Sequence, residues 1–345
     1  MSCAFDKETE RRLAKKKLHF LQHKLLDYLV TIGFVVIINF LLPRLLPGDP
    51  FAQLSGLGAG ADFAVSLDAA SEAALREYYG LDKPLGAQFV HYLQNLLTGN
   101  LGYAYYFKAP VGQLLAERLP WSLLLLLTSI LLASVVGIAC GVFAAWRRGT
   151  AWDHGLRGLL LGMRTVPPFF LGSLLLLIFS VKGQWFPVSG AFSVDTAGAS
   201  GLARLKDIIW HLALPAATLT LAELSGNFML TRSAMLDTLR EDYITFGRAR
   251  GLSESRLMFG HALPNALLPV ITHTGLRLGL ASGIVIYVEK IFGYPGIGMF
   301  MYEALAGRDF QVLQGGFLVI SLTVLLLNLT VDILYAYLDP RVEVS

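Results

Sequence analysis

The 345 residues are 54% hydrophobic and 15% charged, with a mean hydropathy of +0.57, whereas soluble domains carry about a quarter charged residues. This excludes an ordinary soluble domain and predicts an all-α polytopic membrane protein. A net charge of +3 held in a few basic clusters argues against a nucleic-acid partner, and two distant cysteines, Cys3 and Cys140, supply neither a disulfide framework nor a metal cluster.

Residues 1–24 form a basic, helix-prone tail with Arg11, Arg12, Lys15, Lys16, Lys17 and Lys24. The apolar run Leu25 to Leu42 is longer than a signal-peptide core, and Pro43, Arg44 and Pro47 follow it in place of a small-residue cleavage site. It is predicted as a first spanning helix, residues 25–46, with the tail in the cytoplasm. The region 47–119 has no span of its own and is helix-like over Leu67 to Tyr79. Between Pro47 and Pro120 seven acids face four bases, which suits an extracytoplasmic loop. Trp121 to Trp146 is then an uncharged run of 26 residues closed by Arg147 and Arg148, long enough to span and positive at one end.

A third span is predicted over about Leu159 to Val181. It contains Pro167 and Pro168, which predict a kink of the sort that lines a pathway. A Gly- and Ser-rich loop, Lys182 to His211, returns into a less apolar helix, Leu212 to Leu230, carrying Thr218, Thr220, Glu223, Ser225 and Asn227. A fifth span covers about Ile271 to Val288, an outer loop covers Glu289 to Phe310, and a sixth span covers about Val312 to Val331, before a polar tail at 339–345. Six spans place both termini inside. The short loops agree, since Trp146 to Arg157 and the stretch 241–264 are rich in arginine.

The passage from Glu241 to Pro269 is polar and basic between apolar runs. A helix over Glu241 to Arg250 is expected to end at Gly251, where glycine takes the left-handed conformation cheaply. Ser253 is a good N-cap for a second helix with Glu254 in its first turn, and Pro264 marks where that helix bends or ends. With Arg240, Arg248, Arg250 and Arg256, the two helices make a basic knob.

Small residues recur four apart at Gly137 and Gly141, at Gly158 and Gly162, and at Gly275, Gly279 and Gly283. The spacing permits close helix packing within a bundle or across an interface, the triple repeat being the best interface candidate. Glu223 at membrane depth points either to a cavity or to a partner on a neighbouring helix. Glu223, Asn227, Pro167 and Pro168 are therefore the candidate translocation-path residues. No phosphate loop, H-E-x-x-H or G-x-S-x-G motif occurs, so the chain has no evident means of hydrolysing ATP and is not expected to be an enzyme. His19 and His23 lie in the lysine-rich tail without an acidic third ligand. No cofactor and no metal is expected.

Gly251 followed, after nine residues, by His261-Ala262-Leu263-Pro264 resembles the G-x9-I-x-L-P core of the signature loop of ABC importer permeases. His261 stands where isoleucine is usual, and Thr245, Phe246 and Gly247 stand where a Glu-Ala-Ala lead is usual. The wider chain is similar to the first permease of the dipeptide, oligopeptide and nickel branch. The matching pieces are PGDP at 47–50, YGLDKPL at 79–85, GNLGYAYYFKAPV at 99–111, ERLP at 117–120, VEKIFGYPGIG at 288–298, RDFQVLQG at 308–315 and NLTVDILYAYLDPR at 328–341.

The resemblance implies one N-terminal helix before a five-helix permease core, here 114–338, with coupling helices at 241–264 that dock on separate ATPase subunits. It implies that Tyr243, Phe246, Arg248, Arg250, Gly251, Arg256, Leu263 and Pro264 carry the coupling. It also implies partners: a second homologous permease, two ATPases, a periplasmic or lipid-anchored solute-binding protein, and the lipid bilayer of a bacterial or archaeal inner membrane. Peptides and nickel or other metal chelates both fit the branch. A secondary transporter independent of ATPases would instead show paired half-helices or inverted repeats.

Overall fold

The computed structural model describes residues 24–41, 83–104, 106–194, 201–307 and 309–338, with backbone alone at 276, 280–282 and 334–338. The basic tail with His19 and His23, the PGDP segment, the predicted helix at Leu67 to Tyr79 and the tail at 339–345 lie outside the described residues. The chain is helical: α1 (Lys24–Leu41), α2 (Leu85–Leu97), α3 (Val111–Trp146), α4 (Ala151–Arg164), α5 (Pro168–Lys182), α6 (Leu202–Thr238), α7 (Asp242–Ala249), α8 (Leu263–Ile291), α9 (Ile297–Ala306) and α10 (Phe310–Leu338). A two-residue antiparallel pair, β1 (Tyr103–Ala104) with β2 (Ala109–Pro110), precedes α3.

By length and composition α1, α3, α6 and α10 can each cross a membrane, and six spans result if the two bent helix pairs count as one span each. The described residues form two compact units, one from 24–28, 120–299 and 323–338, the other from 29–41, 83–119 and 300–322.

In the first unit, Leu125, Leu219, Val288 and Tyr294 form an apolar core with Leu126, Leu212 and Phe292. Close approach of α3 to α6 requires glycine. A Cβ on Gly137 would sit 2.8 Å from the Asn227 side chain, and one on Gly141 2.7 Å from Thr231. Gly275 and Gly279 face Val331 and Asn328 of α10, so these two glycines pack helices within the chain. Gly158, Gly162 and Gly283 have open space where a side chain would stand. The interface expected for the triple repeat is thus taken, at two of its three positions, by the chain's own last helix.

The predicted third span is not one kinked helix. The chain turns by 102° between α4 and α5, and the break falls at Thr165 to Pro167. The physical reason is that Pro167 sits outside the helix as the cap of α5 and Pro168 starts its first turn, where a missing N–H costs nothing. The predicted fourth span is also longer than expected, because α6 begins at Leu202 and runs to Thr238. Similarly, α3 begins ten residues before Trp121 with Pro120 inside it, so the last part of the predicted outer loop is helix.

The loop after α8 is folded around a buried acid. Glu289, fully buried, accepts hydrogen bonds from Ser122 Oγ at 2.6 Å, Gly298 N at 2.7 Å and Met299 N at 3.1 Å. A side chain on Gly296 or Gly298 would collide with the Glu289 carboxylate, and Gly293 takes φ +53. The glycines of VEKIFGYPGIG are therefore packing and turn residues around Glu289. Within the predicted outer loop, a short helix, α9, occupies Ile297–Ala306.

In the second unit, Asp309 accepts from Tyr106 N at 2.9 Å and Val312 N at 3.3 Å, tying the strand pair to the start of α10. Phe40 packs edge-on against Phe89 at 5.0 Å. A cavity of about 470 Å³ lies in this unit, lined by Asn39, Gln88, His91, Asn95, Gln311 and Gln314 among others. Its polar lining is of amides with His91, Tyr92 and Tyr103.

Candidate functional site

Two places carry chemistry. The first is the basic knob. Its helix α7 ends as predicted, with Gly251 at φ +78 and the Leu252 N–H donating back to the Gly247 carbonyl at 3.2 Å. Ser253 caps the next turn, its Oγ accepting from Arg256 N at 3.4 Å. The expected end at Pro264 does not occur. The chain passes from Glu254–Arg256 through a π-helical stretch, Leu257–Ala262, straight into α8. Pro264 falls in the first turn of α8 and follows the π-helical stretch without ending the helix, so the helical backbone of the knob continues into a spanning helix.

The knob is seated by its apolar underside. Ile244 is fully buried in a cluster with Val142, Ala145, Met235, Met258 and Ala266. Gly247 lies against Leu257, whose Cδ2 would be 2.6 Å from an added Cβ, so a small residue is needed at that position. Tyr243 and Phe246 point outward, 44% and 72% exposed. Tyr243 is also braced, its hydroxyl accepting from Asn265 Nδ2 at 2.9 Å. Leu263 is half-buried, and Arg250, Arg256 and Pro264 are exposed.

Arg248, in contrast, is committed inside the knob. Its Nε and Nη2 donate to Glu254 at 2.5 and 3.0 Å across the Gly251 turn. The Arg248 guanidinium holds the Glu254 carboxyl below the usual carboxylate range.

The second place is a polar cluster between α6 and α8. Glu223 is buried, and its carboxylate lies 3.4 Å from Arg277 Nε. Asn227 donates to Ser134 Oγ at 3.3 Å, and its carbonyl accepts from His273 Nδ1 at 3.2 Å and more weakly from Thr274 Oγ1 at 3.5 Å. Asn227 is thus a strut between α3, α6 and α8, while Glu223 has an ionic partner. Pro167 and Pro168 mark the α4–α5 break, and Arg164, the last residue of α4, acts by its charge on both Glu223 and His273.

Sequence reading missed Arg164, His273 and Arg277, although each is an ionisable residue inside a predicted span and could have been flagged on that ground. It also missed a buried clasp, in which Arg232 Nε and Nη2 donate to the two oxygens of Asp153 at 2.7 and 2.8 Å. That clasp ties the start of α4 to α6.

Residues 137–344 match the family described as "Binding-protein-dependent transport system inner membrane component". The di/tripeptide transport system permease protein of Pseudomonas aeruginosa (strain UCBPP-PA14) is 37% identical over 339 residues, covering 94% of this chain and 99% of the relative. The dipeptide transport system permease protein of Escherichia coli (strain K12) is 34% identical over 342 residues, with the same coverage. The glutathione transport system permease protein of Salmonella typhimurium (strain LT2) is 37% identical over 329 residues, again covering 94% and 99%. Among solved structures, a chain of the MetNI methionine ABC transporter in inward-facing conformations aligns with a TM-score of 0.54 at 17% identity, covering 66% of this chain and 97% of that one. At that identity the likeness is one of fold.

Proposed function

The chain belongs to the family of inner-membrane components of binding-protein-dependent transport systems, and from that premise we infer that it is the permease subunit of an ATP-driven importer of short peptides. The observation that carries the reading is the match, along nearly the whole of both chains, to relatives named for di- and tripeptides and for dipeptides. The same names favour a peptide over a nickel chelate. As a transport component the chain works with ATPase subunits and a solute-binding protein, and it does not itself hydrolyse ATP.

In this reading the chain pairs with a second, homologous permease, each lining half of the pathway, above two ATPases. Both termini and the knob face the cytoplasm. Tyr243 and Phe246 seat in an ATPase groove as apolar anchors, with Arg250 and Arg256 adding electrostatic fit. Arg248 contributes shape, since its charge is spent on Glu254. The continuity of the knob with α8 supports the mechanism. A displacement of α7 passes across the Gly251 turn and through Leu257–Ala262 into the helix that carries His273 and Arg277, the backbone being helical from Glu254 onward.

Copurification tests the assembly. The tagged chain should bring down a second permease and ATPase subunits, and the reconstituted assembly should take up labelled dialanine with vanadate-sensitive ATP hydrolysis. Dialanine uptake by the chain alone would sink the reading.

A further inference from the structure

The Glu223–Arg277 pair is unevenly built. Arg277 stands near the middle of α8 and Glu223 within α6, at the depth where an ionised side chain is not left facing lipid. Glu223 is shielded at 8% side-chain exposure, whereas Arg277 is 30% exposed. Their approach, Nε to Oε2 at 3.4 Å, is an ion pair, and Arg277 makes no hydrogen bond among the described residues. Five N–H donors on a planar fork therefore stand beside one carboxylate that uses none of them well.

The surroundings add positive charge. Arg164, at the end of α4, adds its charge at longer range to the field on the same carboxylate. The backbone also opens here. The α4–α5 break follows Arg164 directly, and α8 turns by 63° between Gly279 and Gly283, just beyond Arg277. Gly226 of α6 faces the same group, a Cβ there standing 3.4 Å from His273 and 3.8 Å from Arg277 Nη2.

The exposed edge of the Arg277 fork matches an anion with two oxygens in a plane. Every linear peptide with a free C-terminus supplies such a group, whatever its side chains.

We propose that Arg277, held in place by Glu223, receives the terminal carboxylate of the transported peptide on its exposed edge, as the peptide passes along the face that α6 and α8 share. Glu223 serves as the resting counter-ion and gives way when the substrate carboxylate arrives. Asn227 positions the wall by fixing His273, its carbonyl accepting the Nδ1–H. The inference rests on the peptide-importer reading.

The test uses the complete reconstituted transporter with labelled dialanine, with assembly of each variant verified by copurification. Losing a charge-assisted bond should slow maximal uptake by Arg277→Gln roughly ten- to hundredfold. The half-saturating concentration should hold, because the binding protein sets it. Arg277→Lys should fall between, keeping the charge without the fork.

The double reversal Glu223→Arg with Arg277→Glu separates recognition from scaffolding. It keeps an ion pair but inverts its direction, so uptake should stay as low as in Arg277→Gln. Recovery in the reversed pair would overturn the proposal. Should that variant not assemble, the single changes decide, and equal uptake by Arg277→Gln and Arg277→Lys would overturn it. Failure of the unmodified transporter to take up dialanine would instead refute the peptide reading, and this inference with it.

Discussion

Gly251 is where the coupling account is most exposed to test. Its φ of +78 lies in the left-handed region, yet no atom lies within 4 Å of where a Cβ would stand. Substitution therefore meets no steric obstacle, and its whole cost is conformational. A non-glycine residue pays about 1–2 kcal/mol in that region, more when β-branched.

The turn has two restraints against relaxing. One is the Arg248–Glu254 pair, exposed and screened by solvent and therefore weak. The other is the buried seating of Ile244 and Gly247. The strain exceeds the first restraint but not the second. Gly251→Val should thus leave the knob folded while shifting its turn toward a relaxed geometry by about five- to thirtyfold. Asparagine, which tolerates the left-handed region, should do least harm.

The assay is dialanine uptake per ATP hydrolysed in proteoliposomes. The ratio should fall in the order Asn, Ala, Val, while copurification of the ATPases persists or weakens only in part. Normal uptake per ATP in Gly251→Val would refute the claim that this turn transmits movement.

Three further outcomes follow from the geometry. Asp153→Asn breaks the buried clasp to Arg232 and should destabilise the protein by about 3 kcal/mol, read as a lower melting temperature of the detergent-purified complex. An unchanged melting curve would contradict it. Glu289→Gln turns one acceptor toward three donors, at a cost of about 1–3 kcal/mol, and should lower the amount of chain recovered from membranes; wild-type recovery would show that the acid is not structural. For Glu254 the folded-state pKa lies below its ordinary 4.5 because of Arg248. Its contribution is then present above pH 4.5 and lost as pH falls through the depressed value. Amide exchange over residues 247–254 should be slower in the wild type than in Glu254→Gln at pH 7, with the difference shrinking as pH falls below the ordinary 4.5, and the absence of any difference at pH 7 would contradict the pairing.

Sequence reasoning read the fold class and the knob well because both rest on local rules. Gly251 and Ser253 act through their own backbone and nearest neighbours, so their roles are written in the residue types. Long-range pairing was less legible. Glu289 reads as one more loop charge until Ser122 and the glycines of α9's first turn are brought around it. Arg277 and Asp153 likewise gain meaning only through partners on other helices. The double proline was located correctly, but its consequence was underestimated. A proline pair can end one helix and start another as readily as kink one, and the choice depends on packing that composition does not carry.

The central claim is that this chain moves short peptides only as part of an ATPase-driven assembly. Its most direct measurement is labelled dialanine uptake into vesicles holding the chain, a second permease, ATPases and the loaded binding protein, with and without ATP. The account predicts uptake that requires ATP and every component. Uptake by the chain alone, or an intact and hydrolysing assembly that leaves dialanine outside, would contradict it.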